Sequence, residues 1–336
     1  MQSITYLKDP LYFHSHSSVG GKEEGRGPLG RSFDLIDETD LFGMKTFERA
    51  EGEMSRIALN LALKKGGIDQ RSLSLIVSGD LQNQCVASSS GLFTFGVPYL
   101  GLYGACSTCT ESLLVLSSIM SCSDKYMLGA AVTSSHNSAA ERQFRTPLEY
   151  GGQRAPSAQW TATAAGAFII SKVPSRAKIT AFMPGKIVDG YSSEQNNMGA
   201  SMALSAKDTI LKFFENEDPY SYDLILTGDL GRVGSSILHE LLLDESPAGE
   251  KLCSAHKDCG LLLFDLDRQD VHSGASGCGC SASVLSSYIL PLVEKGEIKK
   301  MLLLSTGALM STSSVFQKEH ILGIAPLIRI EHNPYI

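Results

Sequence analysis

Two octapeptides about half a chain apart constrain this sequence more than any other feature. Residues 74–81 read SLIVSGDL and residues 223–230 read DLILTGDL. Each is a short buried-strand pattern closed by Gly-Asp-Leu, with Asp80 and Asp229 as counterparts. A second pair follows in the same order: CSTCTESLLVLSSIM from Cys106 is echoed by CGCSASVLSSYILPLV from Cys278. An apolar strand pattern comes after each, from Lys125 and from Lys299. Repeats shorter than a domain would give a solenoid, whereas a spacing of half the chain gives a duplicated domain. Apolar strands alternating with helices imply largely parallel sheets covered on both faces. The periodic stretch 54–68, stopped by Gly66-Gly67, predicts a helix ahead of the first Gly-Asp-Leu strand, and 201–217 predicts its counterpart. The expected halves are residues 1–172 and 173–336.

With 336 residues and 43% apolar composition, the chain can build two core-forming units or one large fused domain. Its formal charge of −7 argues against a nucleic-acid binder, which needs a basic face to displace counterions. The start, MQSITYLKDP, lacks the apolar core of a signal peptide. A reducing compartment is therefore expected, with most of the eight cysteines acting as small buried hydrophobes. The best candidate membrane span, residues 92–106, is broken by Gly96, Pro98, Gly101 and Gly104, so no crossing is expected.

Two motifs are set aside on context. GRGPLG (25–30) fits a dinucleotide fingerprint but follows a charged KEE instead of a strand, and reads as a mobile surface loop. Cys106-x-x-Cys109 and Cys278-x-Cys280 open helices and lack the turns of a zinc knuckle, so neither a metal nor a cofactor is expected.

Ala105-Cys106-Ser107 carries the strongest functional signal. A glycine-rich approach runs into Cys106, and a helix follows at once. A helix N-terminus favours a thiolate, which places Cys106 as an activated nucleophile in need of a base and an oxyanion partner. His272, in DVHSGASGCGCSAS, precedes the second copy of that helix, and His136, in TSSHNSAAERQFR, follows the strand after the first. Each is equally readable as a hydrogen-bonding loop residue. Arg142, Arg145 and Arg154 gather in an otherwise acidic chain, and the planar guanidinium suits carboxylates. Their alternative is internal pairing with Glu141 and Glu149 on a solvated loop.

With its duplication and Ala105-Cys106-Ser107, the chain resembles the thiolase and ketoacyl-synthase superfamily; QWTATAAGAFIIS (159–171) resembles the strand ending the first half. That resemblance implies an α/β thiolase-like fold, with duplicated halves in a five-layer α-β-α-β-α arrangement and the cysteine at the start of a buried helix. It also implies a homodimer paired through the first-half sheet.

The segments EGRGPLGRSFD, GDLQNQ, YLGLYGACSTCTESL, TSSHNSAAERQFRTPLEYGGQRAPSAQWT and SGCGCSAS resemble one branch more closely, the stage V sporulation protein AD family. This implies binding of dipicolinic acid (pyridine-2,6-dicarboxylate) and its calcium chelate, with calcium carried in by the ligand. It implies integral-membrane channel subunits as partners, and peripheral association with the spore inner membrane after synthesis in the sporulating cell.

Departures from the catalytic superfamily point the same way. Gly228-Asp229 stands where a ketoacyl synthase has His-Gln-Ala-Asn, and Gly277-Cys278-Gly279-Cys280 stands where it has Gly-Asn-Thr-Ser. The proline and preceding glycine of a thiolase Gly-His-Pro are missing around His272. The expectation is therefore a non-enzymatic ligand site. Cys106, His136, His272 and the Thr306-Gly307 turn line it, Asp229 belongs to it, and Arg142, Arg145 and Arg154 supply charge. The alternatives are an acyl-transfer enzyme, with a Cys106 thioester and His272 as base, and a scaffold that only docks membrane partners.

Overall fold

Strands of the first half alternate between two cores. In the computed structural model, which describes residues 3–144 and 154–336, Leu75, Val77, Ala131 and Phe168 enter a central core, while Ile76, Val132 and Ala167 enter an outer one. In the second half Leu224, Leu226, Met301 and Leu303 point to the same central core, and Ile225, Leu302 and Leu304 to a third. This is the two-residue period of a strand buried on both faces. The central core fills both faces of the middle helical layer, so these three cores serve the four interfaces of the expected five layers.

Ten strands hydrogen-bond in the order His256–Asp258, Leu224–Thr227, Lys300–Leu304, Leu327–His332, Ala177–Met183, Thr5–Gly20, Ala164–Ser171, Leu128–Ser135, Leu75–Gly79, Tyr99–Gly101. Outward from the central antiparallel pair, Ala177–Met183 with Thr5–Gly20, both directions read alike: two antiparallel pairings, then two parallel ones. Parallel neighbours need crossovers. The helix Thr108–Cys122 lies in the first, and the helical run from Cys278 to Glu294, interrupted by a π turn at Leu285–Ile289, lies in the second.

Outer helices cover the far faces. Phe47–Gly66 is capped by the Thr46 hydroxyl, which accepts from the Arg49 amide, and ends at Gly67 with φ +64°. It begins seven residues before the predicted start. Met198–Phe214 and Gly231–Glu245 cover the second half.

The central helices are the ones that resemble membrane spans. Ala105–Cys122 is long and apolar enough to cross a bilayer, with mean hydropathy 1.2, which corrects the expectation that no stretch would be. Its side chains serve the middle layer, where a helix is apolar on more than one side because sheets lie against both. The other central helix approaches its sheet so closely that a Cβ on Gly279 would sit 2.1 Å from the Ala164 carbonyl oxygen.

The GRGPLG segment is not a mobile surface loop. Lys22–Arg26 forms a short helix, Glu24 and Leu29 are buried, and a Cβ on Gly27 would lie 2.2 Å from the Leu263 carbonyl oxygen. Glu24 accepts a hydrogen bond from the Thr163 amide at 2.9 Å, which ties the segment inward.

Candidate functional site

Cys106 sits on a tight turn ahead of the helix. Ala105–Ser107 forms a single 3-10 turn, with Ala105 at φ +52°, and the α-helix begins at Thr108. The Thr108 hydroxyl locks the turn, donating to the Ala105 carbonyl (2.7 Å) and accepting from the Gly104 amide (3.1 Å).

The Cys106 sulfur lies 3.8 Å from Ser276 Oγ, and beneath both is Asp229. Asp229 leaves the end of Leu224–Thr227 and is 1% exposed. Its carboxyl accepts from the Gly277 amide (2.9 Å), the Thr306 hydroxyl (2.9 Å) and the Ser276 hydroxyl (3.3 Å). Burial, with the charge of Asp258 adding to it, pushes the Asp229 carboxyl up to about 7. Burial first, and Asp229 second, hold the Cys106 thiol well above its ordinary range.

The expected thiolate is therefore corrected. A helix terminus favours an anion by about 0.3–1 kcal/mol at ordinary sites. Full burial opposes ionisation by up to 3–5 pK units, roughly 4–7 kcal/mol. The larger effect wins, and Cys106 is a thiol.

A cavity of about 630 Å³ opens on Cys106 and Ser276, within the range of small-molecule sites. Leu81, Ala140, Phe144 and Met198 give it apolar walls. Its polar lining comes largely from residues 193–196 and from Ser311 and Ser314. Among the described residues, the ionisable carboxyls of its lining are Glu141 and Glu194, and no lysine, arginine or histidine lines it.

Of the predicted site residues, Cys106, Asp229 and Thr306 converge here, although only Cys106 lines the cavity. Gly307 packs against the Cys106 turn, where a Cβ would meet the Gly104 carbonyl oxygen at 2.6 Å. The histidines lie elsewhere. His136 is fully buried, its Nε2 2.8 Å from the Asp40 carbonyl and its ring against Phe47; desolvation lowers its pKa. His272, at φ +52°, has Nδ1 2.8 Å from the Ala155 carbonyl and Nε2 3.0 Å from the Asp270 carboxylate.

Arg154 shares that carboxylate at 2.6 Å and lies over the Trp160 ring. Arg142 pairs with Glu48 at 3.2 Å on the surface, where such pairs contribute little. Arg145 lies outside the described residues; Phe144, just before it in the chain, lines the cavity.

Sequence reasoning missed Ser276 and Gln159. The amide of Gln159 donates to the carbonyls of Asp229 (2.7 Å) and Ala275 (2.8 Å), fixing the loop that carries Ser276. A signal for Ser276 was present, because it immediately precedes the Gly277-Cys278 opening of the second central helix. The polar run SSEQNN (192–197) was a weaker one.

Comparison with solved structures places this geometry in a known fold. The chain superimposes on cerulenin-bound OleA of Xanthomonas campestris with a TM-score of 0.60 at 12% identity, covering 97% of this chain and 98% of that one. It matches 3-oxoacyl-[acyl-carrier-protein] synthase III of Aquifex aeolicus VF5 with a TM-score of 0.57 at 11% identity, covering 95% and 99%. Those likenesses establish the thiolase-like fold. Stage V sporulation protein AD of Bacillus subtilis (strain 168) is 39% identical over 322 residues, 95% of this chain and 94% of that protein. The model of the family described as stage V sporulation protein AD matches residues 1–331, and the chain belongs to that sporulation family.

Proposed function

We propose that the chain is a non-enzymatic binding protein for dipicolinic acid and its calcium chelate, working with integral-membrane subunits that move the compound across the spore inner membrane. The observation that carries this reading is the cavity over Cys106, whose floor is a protonated thiol backed by a buried carboxyl. Such a floor suits a bound molecule better than thioester chemistry, because nucleophilic catalysis needs a thiolate and a base within hydrogen-bond reach. The apolar walls suit a flat aromatic ring, and the polar rim suits carboxylates or the open coordination positions of a chelated calcium. Arg142 and Arg145 each follow a residue of the cavity wall; Arg142 is paired with Glu48, and Arg145 is assigned the charge-compensating role.

Calorimetric titration with sodium dipicolinate, with and without calcium, tests the reading. Saturable one-to-one binding that a pyridine monocarboxylate does not reproduce is expected, and Arg145→Ala should weaken it tenfold or more. No heat with either form would overturn it.

We further propose a homodimer built on the edge strand Tyr99–Gly101. Among the described residues it ends the sheet, and Leu100 and Phe93 are exposed beside it. An uncovered edge of this kind is a template for another strand. Sedimentation equilibrium should give twice the 36.1 kDa chain mass, falling to the single mass in Leu100→Asp. A monomeric parent protein would remove the proposal. Membrane association is assigned to the partner subunits.

A further inference from the structure

The chemistry beneath the cavity floor has a consequence for the ligand that rests on the dipicolinate reading. Ser276 lines the cavity and touches Asp229, so its hydroxyl connects the two. A hydroxyl has one proton to give and can accept as well. While Asp229 is ionised, that proton points down to the carboxylate and only the Ser276 lone pairs face the cavity. They repel an anionic ligand, as does the carboxylate itself. Once Asp229 is protonated, its O–H can donate to Ser276 Oγ. The Ser276 proton is then released to donate upward to a ligand carboxylate.

We infer that the free dicarboxylate binds together with one proton taken from solvent onto Asp229, whereas the electrically neutral calcium chelate binds without it. The proton balance is simple: one carboxylate becomes a carboxylic acid, and no other bond is made or broken.

Of the groups that face one another here, Asp229 is the one that Ser276 links to the cavity. Cys106 from the 3-10 turn, Cys259 from the helix Cys259–Leu263 and Cys280 from Cys278–Val284 are all held well above the ordinary thiol range, chiefly by burial, and remain protonated. Asp258, from the edge strand His256–Asp258, lies lower at about 6. Its oxygens are occupied by the Thr227 hydroxyl and the Leu230 and Gly231 amides. Glu141 and Glu194 line the cavity itself. Asp229, near 7, changes charge within the working range.

Calorimetry of the full chain in buffers of differing ionisation enthalpy measures the uptake directly. Sodium dipicolinate should draw about half a proton per site at pH 7 and close to one at pH 8.5, and its affinity should fall roughly thirtyfold from pH 6 to pH 8.5, as a single site near 7 requires. The calcium chelate, titrated with excess calcium, should show neither effect. In Asp229→Asn the side chain cannot ionise and carries no charge at any pH, so binding of the free acid should become independent of pH.

Binding of the free acid by the parent protein with no buffer-dependent heat overturns the inference and leaves the dipicolinate reading intact. That measurement needs no variant. Retention of the pH slope in Asp229→Asn overturns it as well. Absence of binding by either form defeats the reading itself.

Discussion

Iodoacetamide at pH 7.5 is expected to modify Cys122 and to leave Cys106 untouched. Cys122 is exposed at the end of its helix, whereas Cys106 is buried and its ionisation is opposed by burial and by Asp229. An ordinary thiol is a few per cent thiolate near neutrality, and each unit added to its pKa removes a further factor of about ten. Peptide mapping should therefore show modification at Cys106 at least about a hundredfold slower than at Cys122, combining ionisation and access. Asp229→Asn removes the neighbouring carboxylate and should speed Cys106 modification about tenfold. Incubation with acyl-CoA should leave the intact mass unchanged. A stoichiometric acyl adduct that disappears in Cys106→Ser would establish the acyl-transfer alternative in place of the binding reading.

How much of this was legible beforehand follows from where each signal resides. The strands ending at Gly79 and Thr227 were readable because their apolar runs are local, and the duplication allowed each to corroborate the other. The position of Cys106 was readable for the same reason. Its ionisation was not, because burial in the assembled fold decides it, and the second contribution, Asp229, arrives from the other half. Arg154 and His272 were read as lining or charging the ligand site, and nothing local showed that both would meet the carboxylate of Asp270.

The Phe47–Gly66 helix was predicted seven residues short because its first turns, FERAEGE, break the apolar period. One of those residues, Glu51, is buried against Gln82 and Ser134. Charged residues are read as exposed by default, and this chain buries several. The same default made a surface loop of the segment that holds Glu24.

Glu24 gives the largest stability effect expected. It is 1% exposed, and burial raises its pKa to about 8 against an ordinary 4.5, despite the amide of Thr163. The native protein therefore retains a proton between those values that the unfolded chain has lost. Stability is full below about 4.5 and falls as pH rises through 8. A shift of this size corresponds to roughly 5 kcal/mol at full ionisation, large against a typical total of about 5–15 kcal/mol. Asp229 at about 7 and Asp258 at about 6 are displaced in the same direction. His256, depressed to about 3 by its burial and by His239, acts oppositely, costing stability as pH falls below about 6.5. Glu51, Asp80 and Glu111 are also raised, and His136 and His239 also lowered; the raised carboxyls outnumber the depressed imidazoles, so the fall of stability with rising pH dominates. The melting temperature should be several degrees higher at pH 5.5 than at pH 8.5. Glu24→Gln keeps the shape and the Thr163 contact but cannot ionise, so it should recover roughly 5 kcal/mol at pH 8.5 and only about 1 kcal/mol at pH 5.5. Equal melting temperatures for Glu24→Gln and the parent protein at pH 8.5 would show that Glu24 ionises in the folded state without penalty, and that the packing of residues 21–30 against the second half does not exclude water from it.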